Sequence, residues 1–549
     1  MKQTIPDLIV KTLSILGVDR LFHVPGTSVA SFYNSLALQK KIRPVLFKHE
    51  QAACFAAAGY TLTTNRTGVC MVMCGPGVTN VVSALAESYY QSIPQVIITV
   101  DNPQKNLGLE DFHEVDSFSM LGPVTKKTVM PEKADDVQQA VVEAYRCASA
   151  GRPGPVYLTI PAHLMDQTAA MKKIKPVSKP PRPTLSQVKK TLRLIKASQN
   201  PMIFAGSGVI RSNAEKELAE FIKLSNIPIV TTLGGRGAVS ETKPLVMGMP
   251  SYTFDMSFLN KSDLFIVLGT RLNPVNLRMG KLKLPEKMVQ VDTDNPNLKY
   301  KKADVYMQSD IKEFLTLINN EIKTSKKYTK SLKSTLYQTF KRSYREFTAA
   351  DYQRIRKQTS KFTSKKFLLE LSSFLEETDA ALFTDSIWLP YSHLLPRLKK
   401  SRSFACMRSF GCLGFALPAA IGACLADRRR NVISLSGDGA FLFNCQELST
   451  AATYGLNNFV QIVLNNSGFV SLHNIAKSMF PEQDTYYLWN KIDFNQLSES
   501  FGIQTITVDA ASQVSTALTK AFNTKRPCLL NIMTDDREEV KKPFWVESS

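Results

Sequence analysis

No apolar run long enough to span a membrane occurs in this 549-residue chain, and its opening Met1-Lys2-Gln3-Thr4-Ile5-Pro6-Asp7 lacks the apolar core of a secretory signal. Both absences give the expectation of a cytoplasmic protein with no membrane partner. Cysteine is sparse: nine residues, an odd number, scattered through apolar segments. That suits free thiols in a reducing compartment better than a disulfide framework. Cys70 and Cys74 are expected on one strand, but no Cys or His pair with zinc spacing accompanies them. No short-period repeat is evident. Acidic residues are outnumbered, 47 Asp and Glu against 68 Lys and Arg, for a net charge of +21. The excess gathers at 172–182, 323–345 and 354–366, without an aromatic-basic RNA-binding signature. These segments read as solvated linkers or exposed helices, and no nucleic-acid partner is expected.

What is present has the balance of a globular protein, 44% hydrophobic residues with 26 Gly and 28 Pro. One core cannot serve this length, and typical domain sizes suggest about three units. Strands are expected at 21–24, 45–47, 69–74, 95–100 and 156–160 in a first unit, residues 1–172. A Pro- and Lys-rich linker at 174–184 precedes a second unit, 185–325, with strands expected at 201–205, 227–231, 264–268 and 288–292. Its turns Gly206-Ser207-Gly208 and Gly269-Thr270-Arg271 could face a nucleotide, but the stretch from Gly206 lacks the third glycine of the dinucleotide fingerprint. The third unit covers 363–535. The fold class is therefore α/β in three domains.

The densest motif is Gly437-Asp438-Gly439, followed after 25 residues by Asn465-Asn466. A short strand at 432–436 enters the glycine turn, helical spacing covers 441–454, and a strand at 459–464 ends on the Asn pair. Asp438 and an Asn amide are thereby expected side by side. Mg²⁺ takes hard oxygen ligands shared with phosphates, and glycine lets N–H groups approach phosphate oxygens. The alternative is a β-turn plus an Asn-rich loop. Earlier in the chain Lys48-His49-Glu50-Gln51 opens a small-residue helix at 52–60, so Glu50 stands at a strand-to-helix junction. By itself it reads as a carboxylate favoured by the helix macrodipole. Gly75-Pro76-Gly77-Val78-Thr79-Asn80 and Gly151-Arg152-Pro153-Gly154-Pro155-Val156 follow it.

Together with Val24-Pro25-Gly26, Phe112-His113-Glu114-Val115-Asp116, Thr125-Lys126 and the run from Gly414 to Gly422, these motifs resemble thiamine-diphosphate (ThDP) enzymes, and within them the acetolactate synthase catalytic subunits. The resemblance covers nearly the whole chain. It implies a pyrimidine-binding first domain and a diphosphate-binding third domain, parallel sheets with helices on both faces that share a fold, flanking a Rossmann-like middle domain. In that family ThDP supplies the carbanion chemistry that decarboxylates a 2-oxo acid. The resemblance implies that Glu50 hydrogen-bonds the aminopyrimidine, with Pro25, Gly26, Pro76 and Asn80 around that ring. Leu413 would wedge the cofactor into its bent shape and the Gly411 carbonyl would accept from its amino group. Leu413 also reads as a plain core leucine. Asp438, Asn466 and the Gly468 carbonyl would hold Mg²⁺, with Gly437, Gly439, Ala440 and Ser386 toward the diphosphate. Glu50 and the Mg²⁺ clamp meet across a subunit boundary in the family, so a homodimer or homotetramer is implied, and a regulatory small subunit is possible.

The chain departs from acetolactate synthases where substrate and flavin are handled. His113 stands for the family's Gln, as a proton shuttle near neutrality or a simple hydrogen-bonding substitute. The lysine of Pro-Lys-Asp is lost in Pro161-Ala162-His163. An arginine associated with the second oxo acid aligns with Val275, and Arg278 is the candidate to compensate for it. A tryptophan aligns near Ile475, with His473 close by. Gly248-Met249-Pro250-Ser251 replaces a flavin-contacting Met-His-Gly, whereas Arg152 keeps a position associated with FAD, so FAD stays open. Three functions remain: a carboligase joining a pyruvate-derived unit to a second oxo acid, a 2-oxo acid decarboxylase or 2-hydroxyacyl-CoA lyase, and a non-catalytic relative.

Overall fold

A computed structural model describes residues 2–102, 106, 108–176, 180–249, 256–274, 276–277, 281–294, 302–324, 335–357, 361–385, 393–407, 409–480, 482 and 486–535. Ser386, Pro250, Ser251, Val275 and Arg278 lie outside the described residues.

Val- and Ile-rich runs such as Gln95–Asp101, Pro155–Pro161 and Phe459–Asn465 are buried almost throughout, as strands covered on both faces must be. They build three parallel sheets. Across the first run Arg43–Leu46, Arg20–His23, Gly68–Met71, Gln95–Asp101, Pro155–Pro161 and Lys127–Val129. Across the third run Phe404–Cys406, Ala381–Thr384, Val432–Gly437, Phe459–Asn465, Cys528–Met533 and Gln504–Val508. Numbered by position in the chain, both read 2-1-3-4-6-5, while the middle sheet of five reads 2-1-3-4-5. In each, strand order reverses between the first and third strands, which opens a crevice at their carboxyl ends. Val24 to Gly26 and the turn at Gly75 follow the two strands flanking the first crevice. Asp385 and Asp438 follow those of the third, and the turns at Gly206 and Gly269 those of the middle.

The first and third sheets are joined through helices Glu50–Thr64 and Ala416–Ala426. Their small residues let the backbones touch: a Cβ on Gly59 would lie 1.9 Å from the Ala419 carbonyl oxygen, and one on Gly422 2.0 Å from that of Ala56. Phe55 and Phe415 meet edge to face at 5.5 Å, inside one apolar core that spans both domains.

Several expectations need correction. The strand expected at 69–74 ends at Met71, so Cys74 lies past it, where the chain turns toward Gly75 at φ +63°. The helix expected at 441–454 is broken into Asp438–Leu442, a 3₁₀ turn Cys445–Glu447 and Leu448–Thr453. The break is at Asn444, whose backbone leaves the helix while its side-chain amide donates to the Gly414 carbonyl (2.8 Å) and Gln51 Oε1 (3.2 Å). A strand Lys2–Thr4, paired antiparallel to Thr168–Ala170, precedes the first helix, Ile5–Ile15. Lys127–Val129 and Val305–Gln308 are strands of three and four residues, too short to stand out in the sequence. Much of the basic stretch is one helix, Thr335–Lys357, which buries Leu336, Phe340 and Ile355. Among the described residues no helix is long and apolar enough to cross a membrane.

Candidate active site

Glu50 opens its helix behind His49, whose ring Nδ1 accepts the Gln51 N–H (3.1 Å) as a cap. Glu50 is 9% exposed, and its carboxylate accepts from Asn80 Nδ2 at 2.9 Å. Gly77 is its wall, since a Cβ there would lie 3.5 Å from Glu50 Oε1. Pro76 starts the short helix Pro76–Asn80. Gly26 is pressed on Met73, leaving 2.7 Å to its Cβ for any added Cβ. The rest of the rim is open: Pro25, Pro76 and Asn80 are exposed around the buried carboxylate.

His113 reaches this rim through Gly75, where a Cβ would fall 2.6 Å from the His113 carbonyl oxygen. His113 has φ +66° and its ring lies 3.7 Å from that of Phe112, which is 78% exposed. Asn102 Nδ2 holds the Phe112 carbonyl (2.9 Å), and Glu114 accepts the backbone N–H groups of Gly108 and Asp111. The His113 loop is therefore built rather than slack, and it stands beside the Glu50 cluster.

At the third crevice Asp438 is 1% exposed and collects four backbone N–H groups: Gly439 on Oδ1 (2.8 Å), and Asn466 (3.2 Å), Ser467 (2.7 Å) and Gly468 (3.2 Å) on Oδ2. Burial pushes its carboxyl above the ordinary range, against the pull of those donors. Strands Val432–Gly437 and Phe459–Asn465 run in register, Gly437 opposite Leu464, and so deliver Asp438 and Asn466 to one edge. Asn465 is spent within the sheet on Asn531 Oδ1 (3.0 Å), leaving Asn466 as the member of the pair at the crevice. A Cβ on Gly437 would meet nothing within 4 Å, whereas one on Gly439 would sit 2.4 Å from the Phe469 ring and 3.0 Å from Trp489. Ala440 is buried just behind.

These residues fit a Mg²⁺–diphosphate group. One buried carboxylate, an Asn and the Gly468 carbonyl are hard oxygen donors, and Mg²⁺ completes such sets with phosphate oxygens and water. Among the described residues no cluster of three His, Cys, Asp or Glu offers a metal cage made of protein alone.

The turn Gly411-Cys412-Leu413-Gly414 enters helix Ala416–Ala426, with φ +90° at Gly411 and +82° at Gly414. Leu413 is half-buried against the shared core. Asp385, fully buried, fixes the helix start by accepting from the N–H groups of Phe415 (2.8 Å) and Ala416 (3.0 Å) and from Ser436 Oγ (2.9 Å). Burial pushes its carboxyl up to about 7.

A separate cavity of about 450 Å³ lies at the middle crevice, lined by Ser207, Gly208, Gly269, Arg271 and Asp292 and reached from the first domain by Arg152. Gly206 and Gly208 are packed on Gly269, whose backbone lies 2.2 Å and 2.6 Å from where their Cβ atoms would be. Gln290 Oε1, buried at this cavity, has no hydrogen-bond partner among the described residues.

Three family profiles match the chain: the thiamine pyrophosphate enzyme N-terminal TPP-binding domain over residues 3–120, the central domain over 188–318, and the C-terminal TPP-binding domain over 390–532. The chain belongs to the thiamine pyrophosphate enzyme family. Thiamine pyrophosphate is ThDP by another name. The protein is 30% identical to the probable acetolactate synthase large subunit of Methanocaldococcus jannaschii, with 97% of this chain and 92% of that one covered. It is 30% identical to the acetolactate synthase isozyme 1 large subunit of Escherichia coli (97% and 94%) and 31% to the acetolactate synthase large subunit of Corynebacterium glutamicum (97% and 87%). This ThDP enzyme thus resembles acetolactate synthases over 97% of its length.

Sequence reasoning passed over four side chains at the two crevices: Glu87, Glu447, Asp385 and Trp489. A signal existed for Glu87, a charge inside the apolar stretch Ala84-Leu85-Ala86-Glu87-Ser88. The tryptophan sought near Ile475 has no counterpart there, but Trp489 packs edge to face on Phe469 at 5.1 Å and covers Gly439.

Proposed function

We propose that this ThDP enzyme uses Mg²⁺ and ThDP to decarboxylate a 2-oxo acid, pyruvate first among them, and joins the remaining unit to a second oxo acid. The observation that carries this reading is the pairing, in one chain, of a buried carboxylate at one crevice with a carboxylate ringed by N–H groups at the other. The bound cofactor would supply the electron sink for loss of CO₂. Glu50 would hold a proton at the aminopyrimidine nitrogen, a task suited to a carboxylate with a single neutral amide partner. Asp438, Asn466 and the Gly468 carbonyl would bind the cation. Gly437, Gly439, Ala440 and Ser386 would face the diphosphate, the Gly439 N–H turning there from Asp438. Pro25, Gly26, Pro76, Asn80 and the Gly411 carbonyl would seat the pyrimidine, and Leu413 would wedge the bend. His113 would stand at the acceptor side and exchange a proton there.

The open rim around Glu50 favours a second chain completing the pocket, so a homodimer or a dimer of dimers in the cytoplasm is the assembly we infer, with domains 1–172, 185–325 and 363–535. A regulatory small subunit is consistent with the large-subunit names of the relatives. The middle cavity would take an adenine nucleotide, FAD or ADP, with Asp292 toward the ribose and Arg152 toward the phosphates.

The test is product analysis by mass spectrometry of purified protein given ThDP, Mg²⁺ and pyruvate, with and without FAD and 2-oxobutyrate. Acetolactate or acetohydroxybutyrate is expected. Acetaldehyde alone would replace the reading with a simple decarboxylase, a second reading that the His113 substitution favours, and no pyruvate consumption with ThDP bound would point to other oxo acids or acyl-CoA substrates.

A further inference from the structure

Two buried glutamates, one in each cofactor-binding domain, reach into the other domain. Glu87, on helix Val82–Gln91 of the first, is 1% exposed. Its carboxylate accepts the backbone N–H groups of Ser409 (3.1 Å), Phe410 (3.3 Å), Gly411 (2.8 Å) and Cys412 (3.3 Å) of the third, together with Gln91 Nε2 (2.6 Å). Glu447 of the third is fully buried, and its Oε1 accepts the N–H groups of Lys48 (3.0 Å) and His49 (3.1 Å) of the first. Thr450 Oγ1 holds its Oε2 at 2.6 Å.

Four successive N–H groups, one on Oε1 and three on Oε2 of a single carboxylate, resemble an anion nest whose occupant is supplied by the protein. Neither helix nor sheet partners those groups, so without the carboxylate the turn would lose the one acceptor that all four share, the buried Cys412 among them. Glu447 plays the same part for the two residues that lead into Glu50. The segments so held carry the Gly411 carbonyl and Leu413 on one side and Glu50 on the other.

We propose that Glu87 and Glu447 form a reciprocal interdomain clamp, each a positioning residue that fixes the cofactor segment of the opposite domain. Several directional N–H bonds sharing one carboxylate fix a turn more tightly than a single bond can, which suits a device that must hold a carbonyl and a carboxylate to within a fraction of an ångström. The catalytic consequence rests on the ThDP reading above; the clamp itself does not.

The experiment uses the full chain with Glu87→Gln and Glu447→Gln, which keep side-chain size. The first readout is backbone amide hydrogen exchange without cofactor, followed by mass spectrometry. Glu87→Gln is expected to speed exchange across 409–412 about ten- to hundredfold and leave 48–49 protected, and Glu447→Gln the converse. Unchanged exchange in the opposite domain, or an equal rise across both domains, would overturn the clamp. The second readout is loss of the C2 hydrogen of bound ThDP by NMR, expected about tenfold slower in both variants with a smaller change in ThDP affinity. An unaltered C2 rate would remove the positioning role. If either Gln variant fails to fold, the Asp variant, which keeps the charge and shortens the reach, gives the same readouts. Wild type that binds no ThDP would sink the function proposed above while the amide exchange still decides the clamp.

Discussion

The first and third domains thread six parallel strands in the same order, yet they treat the carboxylate at the crevice in opposite ways. Glu50 receives one side-chain amide beside an exposed rim, whereas Asp438 is ringed by four backbone N–H groups. The shared topology decides where a crevice opens. The loops that follow the strands decide how many N–H groups its carboxylate meets and how open its surroundings are.

The sharpest way to break that comparison is to neutralise each carboxylate in turn. Glu50→Gln is expected to lower kcat by about 10²–10⁴-fold with ThDP affinity nearly intact, since under the proposed function it removes a proton carrier and little volume. Asp438→Asn should instead raise the Mg²⁺ concentration needed for half-saturation about tenfold or more, read by titrating cofactor binding. Matching losses of affinity in both variants would erase the division of labour.

The seam between the two domains gives the next effect. Gly59→Ala or Gly422→Ala would drive a methyl into a carbonyl oxygen at 1.9 or 2.0 Å and is expected to cost about 3 kcal/mol, read by thermal or denaturant unfolding.

Asp385 adds a pH signature to the third domain. Its folded carboxyl titrates at about 7 against 3.8 in its ordinary state, so the folded form holds a proton that the unfolded form has lost between those values. Stability should therefore fall as pH rises from about 4 to 7, with a slope approaching about 1.4 kcal/mol per pH unit for this one group. In Asp385→Asn that component of the slope should vanish from unfolding curves measured across the window.

The smallest effect separates the two glycines beside Asp438. Gly437→Ala meets open space and should leave the unfolding free energy of the cofactor-free protein within about 0.5 kcal/mol of wild type. Gly439→Ala, pressed on Phe469 and Trp489, should destabilise by about 1–3 kcal/mol.

Much of this was legible in the linear chain. Strands such as 201–205 and 264–268 were read at the residues where they occur, because an apolar run bounded by a glycine turn is a local signal. Glu50, Gly77 and Asn80 lie in two short motifs that the structure brings into contact, and Asp438 and Asn466 do the same through adjacent parallel strands. The helix break at Asn444 was not legible, because the Gly414 carbonyl that draws its side chain away is 30 residues distant. Glu87 and Glu447 were missed for a stronger reason. Their backbone partners lie more than 300 residues along the chain, and no local pattern announces a carboxylate that accepts N–H groups from another domain.

By itself, then, the sequence determined the α/β class, the family and the short motifs, since each depends on residues within one strand, turn or helix. Only the tertiary structure decided that the first and third sheets share one strand order, that glycines let their helices touch backbone to backbone, and that each domain lends the other a buried carboxylate. Those features arise from long-range packing, where the free energy of a contact depends on what the rest of the fold places opposite it.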